Sequence, residues 1–270
     1  MHNRKCPLCH SANSHFKYQV DEFRIVMCQD CGFVYLANPM QIEDEQQNYE
    51  AYFEATTLSE YGKDSSDKNM QLAGTINEQR MEWIQNHAKS GKLLDVGCGR
   101  GFFLHHARQR GFDVQGMEIS RLAARYASEK FNLRIQICNL DQEGTFENEF
   151  DVITMWHVLE HFQNPRTVLD SVHSLLKPNG KIFIEVPNLQ SLKFQLASSQ
   201  KKWRGGNHPK YHRSFFTREM LNRMIDASCY SKMQDAHIVY KTNLHTGLLV
   251  AKKALNAFFK DSFLNIVATK

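Results

Sequence analysis

The stretch Leu93–Phe103, "LLDVGCGRGFF", determines the fold that we predict for this 270-residue chain. Its apolar run ends in the carboxylate of Asp95 and then turns through Gly97, Gly99 and Gly101. A short apolar run followed by a glycine turn and a helix is typical of parallel α/β sheets, which bind ligands beyond the carboxyl ends of their strands. The stretch therefore predicts a strand, a ligand-binding turn and a helix.

Outward from this stretch, strand-like and helix-like segments alternate from residue 91 onward. This alternation predicts a Rossmann-like, doubly wound, mostly parallel seven-stranded α/β sheet with helices on both faces. We expect Leu122, Tyr126 and Ala127 to face inward from their helix, and Thr217 to cap a later one. The predicted strands are KLLDVG, DVQGMEIS, LRIQIC, FDVITMWH, KIFIEVP, DAHIVY and FLNIVATK; KPNG is a turn, and the helices are GFFLHHARQRG, RLAARYASEK, PRTVLDSVHSLL, TREMLNRMIDAS and GLLVAKKALNAFFK.

The spacing of the glycines indicates which ligand the turn binds. Gly97-x-Gly99-x-Gly101 differs from the G-x-G-x-x-G dinucleotide fingerprint. A carboxylate at Asp95 would repel a pyrophosphate but attract a cationic ligand. Glu118 ends the next strand about twenty positions after Gly97, the spacing at which an acidic side chain takes ribose hydroxyls. S-adenosylmethionine, with its amino group, sulfonium and ribose and no phosphate, fits this set; a tight turn beside an exposed glutamate is the alternative.

Four of the seven cysteines form two C-x₂-C pairs near the N-terminus. Two such pairs can complete a tetrahedral S₄ shell, which suits Zn²⁺, and a closed shell leaves no open position for catalysis. The segment between them carries Phe23, Ile25 and Met27 at alternate positions, which predicts a hairpin strand. The sequence therefore predicts a zinc ribbon with a structural metal held by Cys6, Cys9, Cys28 and Cys31.

Composition narrows the class of protein. A 42% hydrophobic, 23% charged chain suits a globular protein, and a net charge of +4 without a dense basic stripe argues against nucleic acid as the partner. No apolar stretch reaches the roughly 20 residues of a membrane span. Seven cysteines and an N-terminus without an apolar signal region predict a cytoplasmic protein with free or metal-bound thiols. The sequence carries no indication of the oligomeric state.

Further motifs resemble those of one known family: CGFVYLANP followed by YEAYF, FDVITMWHVLEHFQNP, LLKPNGKIFIEVPN and W…HPKYHRSFFTREML. With LLDVGCGRGFF, they make the chain similar to class I S-adenosylmethionine-dependent methyltransferases, specifically the bacterial small-molecule group that carries an N-terminal Cys₄ zinc ribbon. The resemblance covers nearly the whole chain. One departure is Cys138-Asn139, where the family has Gly-Asp before its adenine contact. The Asn139 amide can still form hydrogen bonds with the edge of the adenine, because it offers both a donor and an acceptor.

The resemblance implies a domain organisation and a set of site residues. Residues 1–40 are expected to form the zinc ribbon, 41–90 a connecting arm and helix, and 91–270 the methyltransferase domain, with a covering segment at about 188–217. Histidine suits proton removal near neutral pH, so the catalytic candidates are His157, His161 and His212, although each could instead pack or orient a ligand. The predicted cofactor-binding residues are Asp95, Gly97, Cys98, Gly99, Gly101, Glu118, Ile119, Asn139, Leu140 and Trp156.

Two alternatives accompany the leading function. That function is methyl transfer to a small-molecule acceptor, a sugar or an intermediate of polysaccharide or secondary-metabolite synthesis, with O-methylation favoured. The first alternative is an RNA methyltransferase whose ribbon grips RNA, against which the modest charge argues. The second is a non-catalytic ribbon interaction module with a vestigial cofactor site, against which the intact Asp95, glycines and Glu118 argue.

Overall fold

The computed structural model describes residues 4–40, 47–51, 53–54, 66–138, 149–192, 194–195, 208–236 and 262–270. The chain folds into two compact units. The first comprises Met1–Met40, His157–Ser174 and Ile184–Lys270, and the second comprises Gln41–Trp156 and Leu175–Phe183. Within the described part of the chain, no helix has the length and apolar character needed to cross a membrane.

The structure gives bounds for eleven strands and five α-helices, and residues 47–51 are also helical. The strands are β1 Ser14–Val20, β2 Phe23–Cys28, β3 Val34–Leu36, β4 Gly91–Val96, β5 Phe112–Glu118, β6 Ile135–Ile137, β7 Phe150–Trp156, β8 Leu176–Pro187, β9 Ser214–Phe215, β10 Ser231–Ala236 and β11 Phe263–Thr269. The helices are α1 Ser66–Gln85, α2 Phe102–Gln109, α3 Arg121–Phe131, α4 Pro165–Leu175 and α5 Arg218–Ala227. Leu159–His161 form a 3₁₀ turn.

The larger sheet has the hydrogen-bonded strand order β10-β11-β8-β7-β4-β5-β6. β4 pairs in parallel with β5 on one side and β7 on the other, so the strand order reverses at β4. That reversal is the topological switch point at which such sheets bind ligands. β10 and β11 are antiparallel. The predicted fold class, a mixed but mostly parallel sheet flanked by helices, is confirmed.

The second sheet has the order β1-β2-β3-β9 and belongs to the first unit. β1 and β2 form the predicted hairpin, and β3 pairs antiparallel with both β2 and β9. Its apolar residues form a small core to which Leu189 and Met40 also contribute. The buried members of that core are Phe23, Ile25, Val34, Leu36, Phe194 and Phe215.

Some local predictions differ from the structure. Leu122, predicted to face inward, is 48% exposed, because α3 packs through its alanines. The predicted KPNG turn lies within β8, which begins at Leu176; Asn179 keeps a turn-like φ of 65°. The strand predicted at DAHIVY begins earlier, at Ser231, and residues 237–240 of that prediction lie outside the described residues. The helix predicted at GLLVAKKALNAFFK lies outside the described residues.

Candidate cofactor and proton-transfer sites

The backbone of the turn after β4 is tied to the neighbouring strand. The N–H groups of Gly97 and Cys98 both donate to the carbonyl oxygen of Met117, at 2.8 and 3.0 Å. Gly97, Gly99 and Gly101 have φ angles of 67°, 52° and 75°. Residues with side chains rarely adopt this left-handed region, so the turn favours glycine at each of the three alternate positions.

Two glycines also allow close packing around this turn. A Cβ atom on Gly101 would lie 2.8 Å from the Cβ of Ala127, so glycine lets α3 approach the turn. A Cβ atom on Gly116 would lie 2.6 Å from the Sγ of Cys98. Gly116 was not predicted to matter here, although a glycine inside a strand often marks close backbone approach.

Glu118 closes one side of the turn. Its Oε2 accepts a hydrogen bond from the N–H of Gly99 at 2.7 Å, and its Oε1 accepts one from the N–H of Ser120 at 2.9 Å. The carboxyl is buried, and desolvation raises its pKa. These bonds fix an acceptor group at the end of β5, where ribose hydroxyls are bound in dinucleotide-type sheets.

Asp95 places a second buried carboxyl on the adjacent strand. Its Oδ1 accepts a hydrogen bond from the hydroxyl of Thr154 at 2.6 Å. Burial raises the pKa of Asp95 to about 7, although the bond from Thr154 and the charge of Arg80 favour ionisation. A cationic ligand would favour the ionised form further. Thr154 was not predicted, because it meets Asp95 only through the pairing of β4 with β7.

The connecting arm also contacts this region of the second unit. The Glu50 carboxylate accepts hydrogen bonds from the Ser120 hydroxyl and the Arg121 N–H, both at 2.7 Å. The Phe53 ring lies 3.8 Å from where a Cβ of Gly99 would be. These contacts were not predicted, because the YEAYF motif indicates a family resemblance without indicating what its side chains touch.

Trp156 ends β7 and is largely buried among aromatic rings. Its ring centroid lies 5.3 Å from that of Phe103 and 6.0 Å from that of Trp83, and the Arg80 guanidinium lies 4.5 Å from its ring centroid. Ile119 lies between Glu118 and the Ser120 cap of α3. Asn139 and Leu140, the other predicted cofactor residues, lie outside the described part of the chain.

His157 follows β7 and is held by one residue of β8. Its backbone has a φ of 58°, and its N–H donates to the carbonyl oxygen of Glu185 at 2.8 Å. Its Nε2 lies 2.9 Å from Oε1 of the same glutamate, which is fully buried. The Phe263 ring packs edge-on at a centroid distance of 4.7 Å. Glu185 was missed, because only pairing in the sheet reveals its position.

Glu160 lies at the centre of the predicted histidines. Its Oε1 is 3.8 Å from Nδ1 of His157, 3.9 Å from Nε2 of His161 and 4.0 Å from Nε2 of His212. Burial raises the pKa of Glu160 to about 8, and neither carboxylate oxygen has a hydrogen-bond partner among the described residues. Ligand atoms of Glu160, His161 and His212 lie within 4.8 Å of one another, so this set could hold either protons or a divalent ion.

The two more deeply buried histidines differ from His157 in their surroundings. Nδ1 of His161 lies 2.9 Å from the carbonyl oxygen of Tyr211, and burial lowers its pKa to about 4. Burial also lowers the pKa of His212, whose ring packs edge-on against that of His161 at 4.8 Å. Both rings are therefore neutral at pH 7. A further histidine, His208, has its Nε2 3.3 Å from Oδ2 of Asp21 in the turn between β1 and β2.

The four predicted metal-binding cysteines lie together as free thiols. The Sγ atoms of Cys6 and Cys31 are 3.5 Å apart, as are those of Cys9 and Cys28, and all four lie within 4.8 Å of one another. The N–H of Gly32, with a φ of 78°, donates to the Cys28 carbonyl and closes the second knuckle. The cluster agrees with the spacing of the two C-x₂-C pairs.

A profile of the "Methyltransferase domain" family matches residues 68–228, more than half of the chain. The chain belongs to this methyltransferase family. The family match identifies a methyltransferase, and its fold is similar to that of S-adenosylmethionine-dependent methyltransferases of known structure.

Several known proteins are similar to this methyltransferase. The ubiquinone biosynthesis O-methyltransferase of Photobacterium profundum is 29% identical over 185 residues, which span 63% of this chain and 75% of that protein. The protein of the same name from Nitrosococcus oceani is 36% identical over 121 residues, 42% of this chain and only 51% of its own length. The structure of a Thermotoga maritima S-adenosylmethionine-dependent methyltransferase covers 81% of this chain and 99% of its own, with 15% identity and a TM-score of 0.60.

The structure of this methyltransferase groups the predicted residues into two sets. Asp95, the glycine turn, Glu118 and Trp156 belong to the second unit. The three histidines belong to the first unit, together with the cysteine cluster. Their assignment to cofactor binding and catalysis stays a prediction. Thr154, Glu50 and Glu185 are the polar contacts that sequence reasoning did not anticipate.

Proposed function

We propose that this methyltransferase acts on a hydroxyl oxygen of a small-molecule acceptor. The observation that carries the cofactor assignment is the pair of buried carboxyls, Asp95 and Glu118, beside a turn that favours glycine. The O-methyltransferase names of the relatives support oxygen as the methylated atom. Candidate acceptors are sugars, phenols and other hydroxylated intermediates of polysaccharide or secondary-metabolite synthesis.

Proton removal is assigned to His157 in this proposal. Bound S-adenosylmethionine would supply an electrophilic methyl group from its sulfonium to the acceptor oxygen. His157 would take the proton that this oxygen loses. The His157 side chain is 34% exposed, whereas that of His212 is only 5% exposed. An acceptor can therefore reach His157 more readily. His212, which is buried, and His161, whose side chain is 22% exposed, are assigned to orienting the groups around Glu160.

The cysteine cluster is assigned to a structural zinc ion. Four thiolates around one ion at the usual Zn–S distance of about 2.3 Å would be roughly 3.75 Å apart, close to the 3.5 Å separations of the Cys6–Cys31 and Cys9–Cys28 pairs. Burial raises the pKa of Cys6 to about 11, so a cation is needed to keep this thiol ionised. We assign residues 1–40 to the ribbon.

Methyl-labelled S-adenosylmethionine tests the acceptor class. Purified protein is incubated with labelled S-adenosylmethionine in three separate reactions, which contain catechol, a free hexose or total RNA as the acceptor. We expect label in an ether-linked methyl group on a small hydroxylated compound. Nuclease-sensitive label in RNA would instead support the RNA methyltransferase alternative. Undetectable cofactor binding by calorimetry would contradict the whole proposal, and Asp95→Asn serves as the control with a damaged cofactor site.

A further inference from the structure

Glu185 makes two contacts with a single residue, His157. Its carbonyl oxygen accepts the His157 N–H at 2.8 Å, and its carboxylate Oε1 lies 2.9 Å from Nε2 of the His157 ring. The glutamate side chain is fully buried, whereas the histidine is partly exposed. Burial of an acidic side chain is rare unless it is paired, so this contact requires an explanation beyond the folding of β8.

We propose that Glu185 is a positioning residue that holds the Nε2 proton of His157 and so makes Nδ1 the atom that receives the acceptor's proton. This inference rests on the proposed function, in which His157 is the base.

The chemistry of the two groups determines the tautomer. An ionised carboxylate can only accept hydrogen bonds, and a neutral imidazole has a single N–H. With Glu185 ionised, as this proposal takes it to be, the 2.9 Å contact places that proton on Nε2. Nδ1 then carries the lone pair, since Oε1 of Glu160 at 3.8 Å is beyond hydrogen-bonding distance.

Three contacts orient the imidazole ring. The first is the bond from Nε2 to Glu185, and the second is the edge-on contact with Phe263. The third is the backbone bond to the Glu185 carbonyl, which holds His157 at a φ of 58°. A non-glycine residue in the left-handed region is uncommon, and such residues cluster at functional sites.

The same pair suits the charge that develops during the reaction. When the acceptor oxygen bonds to the methyl carbon, its O–H bond breaks and the proton moves to Nδ1 of His157. The ring becomes an imidazolium ion whose Nε2–H faces the buried Glu185 carboxylate. A charge-assisted hydrogen bond of this kind stabilises the cation without transferring the second proton.

The first test measures the tautomer and needs no acceptor. Protein labelled with ¹⁵N-histidine is studied by long-range ¹H–¹⁵N correlation, and the His157 signals are assigned by their loss in His157→Gln. We expect the neutral His157 ring to carry its proton on Nε2 in the wild type. In Glu185→Gln, whose side-chain amide can donate to Nε2, we expect the Nδ1–H form to increase. A wild-type ring protonated on Nδ1 would overturn the proposal.

The second test follows turnover with whichever labelled acceptor the wild type methylates. Glu185→Gln should lower kcat by roughly 10²–10⁴-fold, the usual contribution of a positioned base, with the acceptor KM and the cofactor Kd little changed. Glu185→Asp keeps a carboxylate and should recover part of the loss. Glu219→Gln removes a carboxylate that is 75% exposed on α5 and should leave kcat unchanged.

The two tests separate failure of this inference from failure of the proposed function. If the wild type methylates an acceptor while Glu185→Gln keeps both kcat and the wild-type tautomer, the inference is wrong and the methyltransferase assignment stands. If no acceptor is methylated, the tautomer measurement alone decides whether Glu185 holds the Nε2 proton. A fall in the melting temperature of Glu185→Gln that Glu185→Asp shares, without any change of tautomer, would assign Glu185 a purely structural role.

Discussion

The affinity for S-adenosylmethionine should fall at mildly acidic pH because of Asp95. Burial raises the pKa of this carboxyl to about 7 in the cofactor-free protein. A cationic ligand favours the ionised form, so a proton must leave Asp95 on binding whenever the pH is below that value. Affinity should therefore fall progressively below pH 7.

The size of the effect follows from the ionised fraction. With a pKa of about 7, roughly nine-tenths of Asp95 is ionised at pH 8 and about one-tenth at pH 6. If only the ionised form binds the cofactor cation, Kd rises about tenfold across this range, which is about 1.4 kcal/mol of binding free energy. The change should be accompanied by release of nearly one proton per bound cofactor at pH 6.

Calorimetry at pH 6, 7 and 8, in buffers of different ionisation enthalpy, measures both the Kd and the proton release. Asp95→Asn removes this titrating group while keeping an acceptor for the Thr154 hydroxyl, so its Kd should be weaker at pH 8 and should depend less on pH than that of the wild type. Glu118→Gln is the matched control and should keep a pH dependence. An equal wild-type Kd at pH 6 and pH 8, or an undiminished slope in Asp95→Asn, would refute the reasoning.

Three further predictions concern packing at the glycine turn, metal content and helix capping. Gly101→Ala should lower the free energy of unfolding by roughly 2–5 kcal/mol in denaturant titrations, because the new Cβ would combine a left-handed backbone with a 2.8 Å contact to Ala127. The control is Gly74→Ala on α1, whose new Cβ meets nothing within 4 Å and which should stabilise the protein by about 0.5–1 kcal/mol. Equal effects of the two substitutions would contradict the packing argument. Cys28→Ser should reduce the zinc content measured by atomic absorption while leaving the cofactor Kd unchanged; retention of full zinc occupancy would contradict the four-thiol site. Thr217→Ala should destabilise by about 1 kcal/mol through loss of the α5 cap, detectable as a lower melting temperature, whereas an unchanged temperature would show that the cap contributes nothing.

Sequence reasoning succeeded where the determinants are local. The glycine turn, the two C-x₂-C pairs and the Thr217 cap each depend on residues a few positions apart, and the structure places all three as expected. The prediction that Leu122 faces inward was wrong, because helical periodicity does not indicate which face of the helix packs against a glycine. The face that packs here carries Ala127, whose small side chain lies against Gly101.

Contacts between distant strands could not be predicted. Thr154 reaches Asp95 only because β7 and β4 pair in parallel with Thr154 opposite Asp95. Glu185 likewise reaches His157 from a different strand, and a glutamate in KIFIEVP gives no sign that it is buried and paired. The sequence pattern therefore does not reveal the roles of Thr154 and Glu185, because a threonine or a glutamate is equally common on a solvent-exposed strand.

The segment that we assign to the ribbon pairs with a second strand of the first unit. This pairing offers a structural reason for the ribbon, as an alternative to RNA binding. β3 pairs with β9, and the N–H of Leu36 donates to the carbonyl of Arg213 at 2.9 Å, directly after His212. The N–H of Arg213 in turn donates to the carbonyl of Glu160 at 2.8 Å. A metal that rigidifies the knuckles would thus steady the segment that carries His212 against the 3₁₀ turn. Removing zinc should disturb the histidine cluster before it disturbs the glycine turn, whereas a ribbon that served only to grip RNA would leave that cluster intact.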